Sequence, residues 1–179
     1  MIYGTHLAQD LKCHTYLNPI FSALKDCQND YNWLIADFEC YPKSTDANDG
    51  LGISPNGTDY PDYRFFSGEK LTQLINSENI QWIWGVFCAF EKHISLDEIL
   101  AHPLPCSEGY AALYQLPVSM QHPLSQIEVY AVDSSATVFL SRSEEFTALL
   151  HSAFPKSQRL SDYILSPKKR NFRIPHIFR

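Results

Sequence analysis

Hydrophobic positions recur in two rhythms along the chain, one helical and one alternating, and together they predict a mixture of helices and strands. Met1 to Ala8 reads as an edge strand. Leu17, Ile20, Phe21, Leu24 and Cys27 share one helical face. Asn18-Pro19 suits an N-cap and first helical position there, because proline lacks only an N–H that would be unpaired. Asn32 to Cys40 alternates with period two. Leu34, Ala36, Phe38 and Cys40 are expected on one face; Trp33, Ile35, Asp37 and Glu39 on the other. Ile80 to Phe90 is apolar on both alternating faces, the pattern of a central strand covered on both sides.

The remaining elements follow from capping and turn signals. Ser67 can cap a helix running to about Asn76, with Leu71, Leu74 and Ile75 inward. Ser95-Leu-Asp-Glu98 is a capping box opening a short helix that ends before Pro103. Residues 104–110 form a loop, and Ala111 to Leu116 reads as a strand. Ile127 to Val132 and Thr137 to Leu140 form a hairpin joined at Asp133-Ser134-Ser135. A helix capped by Ser141 or Ser143 buries Phe146, Leu149, Leu150 and Phe154, and Pro155 stops it. A last short helix spans Gln158 to Ile164. Between the first two strands and the Ser67 helix, Tyr41 to Phe66 reads as one long irregular segment, with Pro42, Pro55, Pro61 and the turn dipeptides Asp49-Gly50 and Asn56-Gly57. The order defines an α+β fold: a mixed or mainly antiparallel sheet of five to six strands with helices packed on it. Residues 1–165 form a single domain, and 166–179 form a C-terminal tail.

Composition narrows the class. The chain has 179 residues, 45% hydrophobic and 19% charged, which excludes a disordered or low-complexity protein. No apolar run approaches the roughly 18 residues of a membrane span. The N-terminus shows no basic region followed by an apolar one, so a cytoplasmic location is expected. Five cysteines, an odd number without a C-x-x-C pair, fit reduced thiols, with Cys27, Cys40 and Cys88 in apolar-periodic segments.

The net charge of −6 is unevenly distributed. Residues 1–140 carry 17 Asp/Glu and 6 Lys/Arg, whereas residues 166–179 carry five basic residues and no acid. An acidic body repels nucleic acid and anionic lipid and attracts basic proteins. Between Asp26 and Asp62 there are eight acids and one base, and within 41–66 tyrosines and phenylalanines interleave with the acids. Tyrosine supplies rigid contact area and carboxylates steer a basic partner, so Asp46, Asp49, Asp59, Tyr60, Asp62 and Tyr63 form the candidate partner-binding set. The opposing interpretation is a solvated loop whose acids aid solubility. The basic tail, with Ile174, Ile177 and Phe178, is expected to dock on the acidic body or to mediate self-association.

Other constellations are weaker. Asp37 and Glu39 form an acidic pair on one strand face, suited to a metal or to divided acid and base roles if burial separates their pKa values; a strand end emerging into solvent is the favoured account, since no His or third carboxylate has helpful spacing. Asp46-Ala-Asn-Asp-Gly50 fails as a calcium loop, having Leu51 where glycine is required and Gly57 where a glutamate is. Ser67-Gly-Glu-Lys70 matches S-x-x-K, but the accompanying K-T-G is absent and a helix cap accounts for Ser67. Cys13 and His14 are adjacent, so on a strand they point apart. Cys88, His93, His102 and Cys106 lack zinc spacing. Trp82 and Trp84, two apart, are expected on one strand face as core, as is Trp33. No metal or cofactor is expected.

Three stretches carry a resemblance: Tyr31 to Cys40, Trp82 to Phe90, and Glu128 to Leu140, the last followed by a helix and Phe154-Pro155. Together they resemble small bacterial cytoplasmic proteins of the kind found among immunity proteins of polymorphic toxin systems, over roughly residues 1–165. The resemblance implies a single-domain protein that neutralises a toxin by binding it, and it assigns no individual residue. The leading expectation is therefore an immunity protein or inhibitor that occludes a basic toxin or enzyme. Two alternatives stay open: a small metal-dependent or cysteine/carboxylate enzyme, and a self-associating structural protein with the tail exchanged between protomers.

Overall fold

A computed structural model describes residues 1–9, 15–54, 57 and 59–166. Seven strands form one fully antiparallel sheet: β1 (Tyr3–Leu7), β2 (Tyr31–Tyr41), β3 (Tyr63–Ser67), β4 (Gln81–Glu91), β5 (Ile127–Val132), β6 (Ala136–Ser141) and β7 (Gln158–Arg159). Their order across the sheet is β3-β2-β4-β5-β6-β1-β7. Among the described residues six α-helices accompany them: α1 (Leu17–Ala23), α2 (Thr45–Leu51), α3 (Gly68–Ser77), α4 (Leu96–Leu100), α5 (Glu144–Ala153) and α6 (Leu160–Leu165). The α+β class expected from the pattern holds, with seven strands where five to six were expected.

Each face of the sheet has its own core. The first packs Trp33, Ile35, Phe87, Ala89, Val129 and Phe139 against the buried sides of α1, α2, α3 and α5. The second packs Leu34, Val86, Cys88, Phe90, Tyr130 and Leu140 against Ile99 of α4, Leu160 of α6 and Leu113 of the long connection before β5. β4, apolar on both alternating faces, lies inside the sheet, between β2 and β5, and is buried from Gly85 to Phe90. A strand with no polar face has to sit where both sides are covered.

Several local expectations hold in detail. Ser67 accepts from the Lys70 amide at the start of α3. Ser95 and Glu98 make both bonds of the capping box. The β5–β6 hairpin turns at Asp133 and Ser134, both at positive φ. Others shift. α1 begins at Leu17 with Tyr16 as its N-cap, so Asn18-Pro19 lies inside the first turn. Residues Ala111–Tyr114 form a 3-10 turn and not a strand. Segment 41–66 is not one irregular loop, because it contains α2 and β3. β1 is not an edge strand, since the two-residue β7 pairs along its outer side at Thr5 and His6.

The alternation expected for β2 also breaks. Ala36 opposes Val86, but the next pair is Glu39 with Trp84, so two residues of β2 face Gly85 alone. Asp37 takes φ 45° to accommodate the extra residue, and Gly85 takes φ 153°. Such a bulge reverses side-chain parity beyond it. Phe38 and Cys40 therefore join Trp33 and Ile35 in the first core, and Leu34 and Ala36 face the second. A second irregularity follows between Glu39 and Cys40, which oppose Trp84 and Trp82 in turn. Because Glu39 and Cys40 are adjacent, Trp82 and Trp84 point to opposite faces, contrary to their spacing. Trp82 is fully buried and edge-on to Phe38 and Phe87, as core.

The N-terminus of α3 packs hard against the turn before β2. A Cβ on Gly68 would come within 2.7 Å of Asn29 Cα and 2.8 Å of the Tyr31 carbonyl oxygen, both backbone atoms. The same junction is held by Gln28, whose side-chain amide donates to Thr72 Oγ1 (3.0 Å) and whose carbonyl accepts from the Trp33 indole N–H (2.9 Å). Replacing Gly68 by alanine forces two backbone segments apart. The expected loss is about 3 kcal/mol, a fall in Tm of roughly 6–12 °C, measured by thermal and denaturant unfolding.

Candidate partner-binding face

The candidate face begins where β2 leaves its bulge. Past Asp37, Glu39 is exposed on one side of the strand and Cys40 is buried on the other. β2 ends at Tyr41, whose side chain is 60% exposed. The chain then enters α2, capped by the Ser44 hydroxyl, which accepts from the Ala47 amide. Ala47 and Leu51 are buried beneath α2, leaving Asp46 and Asp49 exposed on its outer side. Gly52, at φ 68°, closes the helix in the left-handed conformation that glycine adopts without a Cβ penalty. Further on, the Ser54 amide donates to the Asp59 carbonyl (3.0 Å) and the Asp59 amide to Ser54 Oγ (2.9 Å). Asp59 and Asp62 are exposed on either side of half-buried Tyr60.

Three contacts fix this stretch to the body. Glu78, just past α3, accepts from the Lys43 amide (2.7 Å), the Ser44 amide (3.0 Å) and the Ser44 hydroxyl (2.7 Å). Burial raises the Glu78 pKa, but these bonds together outweigh it and leave the carboxyl below its usual range. The Tyr60 hydroxyl donates to the Cys40 carbonyl (3.0 Å), and its ring stands edge-on to Phe38 at 5.6 Å. Arg64 Nη2 donates to the Gly50 carbonyl (2.8 Å), tying α2 to β3. Burial, followed by the charges of Glu39 and Glu78, pushes the Cys40 thiol upward. Through its bonds to Lys43 and Ser44, Glu78 lies just past the end of β2.

The six residues expected to meet a partner therefore divide. Asp46, Asp49, Asp59 and Asp62 are exposed carboxylates. Tyr60 packs against the first core and Tyr63 against the second, so their rings anchor the segment. The exposed ring on this stretch is Tyr41 instead. Glu78 was not legible as part of the face, because its role depends on α3 ending next to Ser44.

Asp37 has a structural partner. Its carboxylate Oδ2 accepts from the backbone amides of Ser107 and Glu108, the latter at 3.0 Å. Ser107 Oγ in turn accepts from the Gly85 amide (2.9 Å) and lies 3.1 Å from the Asp37 carboxylate. The serine thus fills the gap the bulge opens in the β2–β4 ladder. Glu39 lies beyond this arrangement, opposite Trp84.

A buried carboxylate elsewhere escaped the sequence reading. Glu128 of β5 is fully buried on the second face. It accepts from the amides of Gln121 (3.0 Å) and His122 (2.8 Å), from the Tyr130 hydroxyl and from Ser125 Oγ at 2.9 Å. The Cys88 thiol lies directly opposite in the register, and burial followed by the Glu128 charge pushes it upward. His122 uses both ring nitrogens, Nε2 with the Ile99 carbonyl (3.1 Å) and Nδ1 accepting from the Leu124 amide (3.3 Å). These bonds pin the connection 101–126 over the sheet. The available signal was a lone charge in the apolar run Ile127 to Val132, with Tyr130 on the same strand face.

The other constellations do not assemble. Among the described residues, no group of three or more His, Cys, Asp and Glu could hold a metal ion. Cys88 is buried at Glu128, His93 lies beside Glu91 on the surface, His102 stacks edge-on to His122, and Cys106 bonds to Gln121. Ser67 is a helix cap. Cys13, His14 and residues 167–179, and with them the expectations for the basic tail, lie outside the described residues. No described helix is long and apolar enough to cross a membrane. The chain matches no protein-family model, no curated protein and no solved structure.

Glu128→Gln turns an acceptor-only group into one presenting an amide NH2 to several donors. The expected cost is about 2–3 kcal/mol, with faster hydrogen exchange at 121–125. Burial also holds the His122 pKa below its usual value, so at pH 7.5 the ring is neutral in the folded chain. The unfolded chain takes up that proton near pH 6.5, so this contribution is complete above about pH 6.5 and is lost progressively below it. Denaturant titrations at pH 7.5 and pH 5.5 are expected to show lower stability at the acid pH, and a smaller difference in His122→Asn.

Proposed function

We propose that the protein binds and neutralises a basic protein, a toxin or an enzyme, by occluding it with the stretch from Glu39 to Asp62, in the manner of an immunity protein. One observation carries this reading: an exposed aromatic, Tyr41, stands at the head of a stretch whose Asp46, Asp49, Asp59 and Asp62 all face solvent. Exposed carboxylates of one sign raise the encounter rate with a cationic partner, and a half-rigid aromatic supplies contact area. Helix α2 holds Asp46 and Asp49 on ordered backbone, which lowers the ordering cost of binding. Occlusion requires no cofactor, and the acids act through their field.

The test is co-expression with the product of the gene adjacent to its own. The wild-type chain is expected to relieve that product's growth inhibition and to co-purify with it. Asp59→Lys with Asp62→Lys is expected to weaken the complex at least about tenfold, equivalent to about 1.4 kcal/mol, with a steeper loss at low salt. Unchanged protection and affinity in the charge-reversed variant would overturn the reading.

A further inference from the structure

The two edges of the sheet are built differently. At one end, β7 has two residues and pairs with β1 at only two positions. A very short edge strand is a usual protection against further pairing. At the other end, β3 pairs with β2 over five residues, Tyr63 with Ala36 through Ser67 with Asn32, without a register shift. It contains no proline, no lysine and no bulge, the other usual protections. Among the described residues, the backbone of Tyr63 to Phe66 makes no hydrogen bond outside the β2–β3 ladder.

This edge is also rigid. Tyr63 and Phe65 pack into the second core and Phe66 into the first, so both faces of β3 are anchored. Its one charged side chain, Arg64, is turned to the Gly50 carbonyl and lies over the Phe66 ring at 5.9 Å. The charges leading into it are the exposed carboxylates Asp59 and Asp62. A second copy carries the same net charge of −6 and brings no excess of positive charge to these acids, which is unfavourable. A cationic chain meets the same acids favourably.

We propose that β3 is a docking edge for an extended Lys/Arg-bearing segment of the partner, which joins the sheet as an eighth strand. This rests on the acidic-face reading above and adds to it a backbone ladder. Main-chain bonds would then provide affinity, and the flanking carboxylates would select for positive charge.

The probe is an eight-residue end-capped peptide alternating lysine and valine, compared with the same peptide methylated at every backbone amide. The two carry equal charge, but the second cannot donate to a ladder. Binding to the full chain is measured by titration, with amide hydrogen exchange read at Tyr63 to Phe66. The unmethylated peptide is expected to bind at least tenfold more tightly and to slow exchange at those amides, and Asp59→Lys with Asp62→Lys is expected to weaken it. Equal binding of both peptides, each weakened by charge reversal, would overturn the docking edge and leave the acidic-face reading standing. Binding of neither peptide would overturn the docking edge, and the growth-protection assay would decide the acidic face separately. A concentration-dependent dimer that already protects the β3 amides would assign the edge to a second copy and overturn the proposal.

Discussion

The junction of Asp37, Gly85 and Ser107 determines how the rest of the molecule is arranged. A bulge at the middle of a buried sheet leaves an unpaired amide and a strand turned by half a period, both costly unless something compensates. Here the Gly85 amide finds the Ser107 hydroxyl, and the Asp37 carboxylate takes the Ser107 and Glu108 amides. The reversal of parity then sends Phe38 and Cys40 inward to the helices and leaves Glu39 facing outward opposite Trp84. Without it, Phe38 and Cys40 would sit on the opposite face, and the acidic stretch would leave the sheet from the wrong side.

The second face shows the same economy of means. The connection 101–126 has little secondary structure, with only one short 3-10 turn after α4 ends. Such a segment needs partners for its backbone if it is to cover a core. Glu128 supplies them from below, gathering two amides and two hydroxyls. Arg142 supplies them from the side, donating to the Ser125 and Pro123 carbonyls at 2.8 and 2.9 Å. A buried carboxylate satisfied by neutral donors rigidifies what it touches, since every donor is needed to offset its desolvation.

What could be read from the sequence follows from whether a signal is local. The capping box at Ser95, the Ser67 cap, the β5–β6 turn and the doubly apolar β4 all depend on residues within a few positions of each other, and all were legible. The bulge was not, because no residue of Asn32 to Cys40 is a glycine, and an aspartate at positive φ is tolerated only where the fold compensates it. The misplacement of Trp82 and Trp84 on one face follows from the second irregularity, between Glu39 and Cys40. α2 was missed for a different reason. Its signals were present in Ser44, Asp46, buried Leu51 and Gly52, but Pro42 and the Asp49-Gly50 dipeptide masked them as turn punctuation. At the candidate face, the exposed acids were legible from charge alone, whereas the inward direction of Tyr60 and Tyr63 depended on the two cores they reach.

The distribution of carboxylates then acquires a physical logic. Carboxylates with structural duties are surrounded by donors: Glu128 in the interior, Asp37 at the bulge, Glu78 at the start of α2 and Glu98 in its capping box. Asp46, Asp49, Asp59 and Asp62 are exposed instead, on a stretch whose own geometry is already held by Ser44, Ser54, Tyr60 and Arg64. Clustering like charges weakens a fold through repulsion, and screening by salt relieves only part of that. A chain that fixes its backbone by other means and still places four acids there gains little in stability from them, apart from Asp46 in the first turn of α2. Their physical effect is exerted outward, as a field on whatever approaches the end of β2 and the open side of β3.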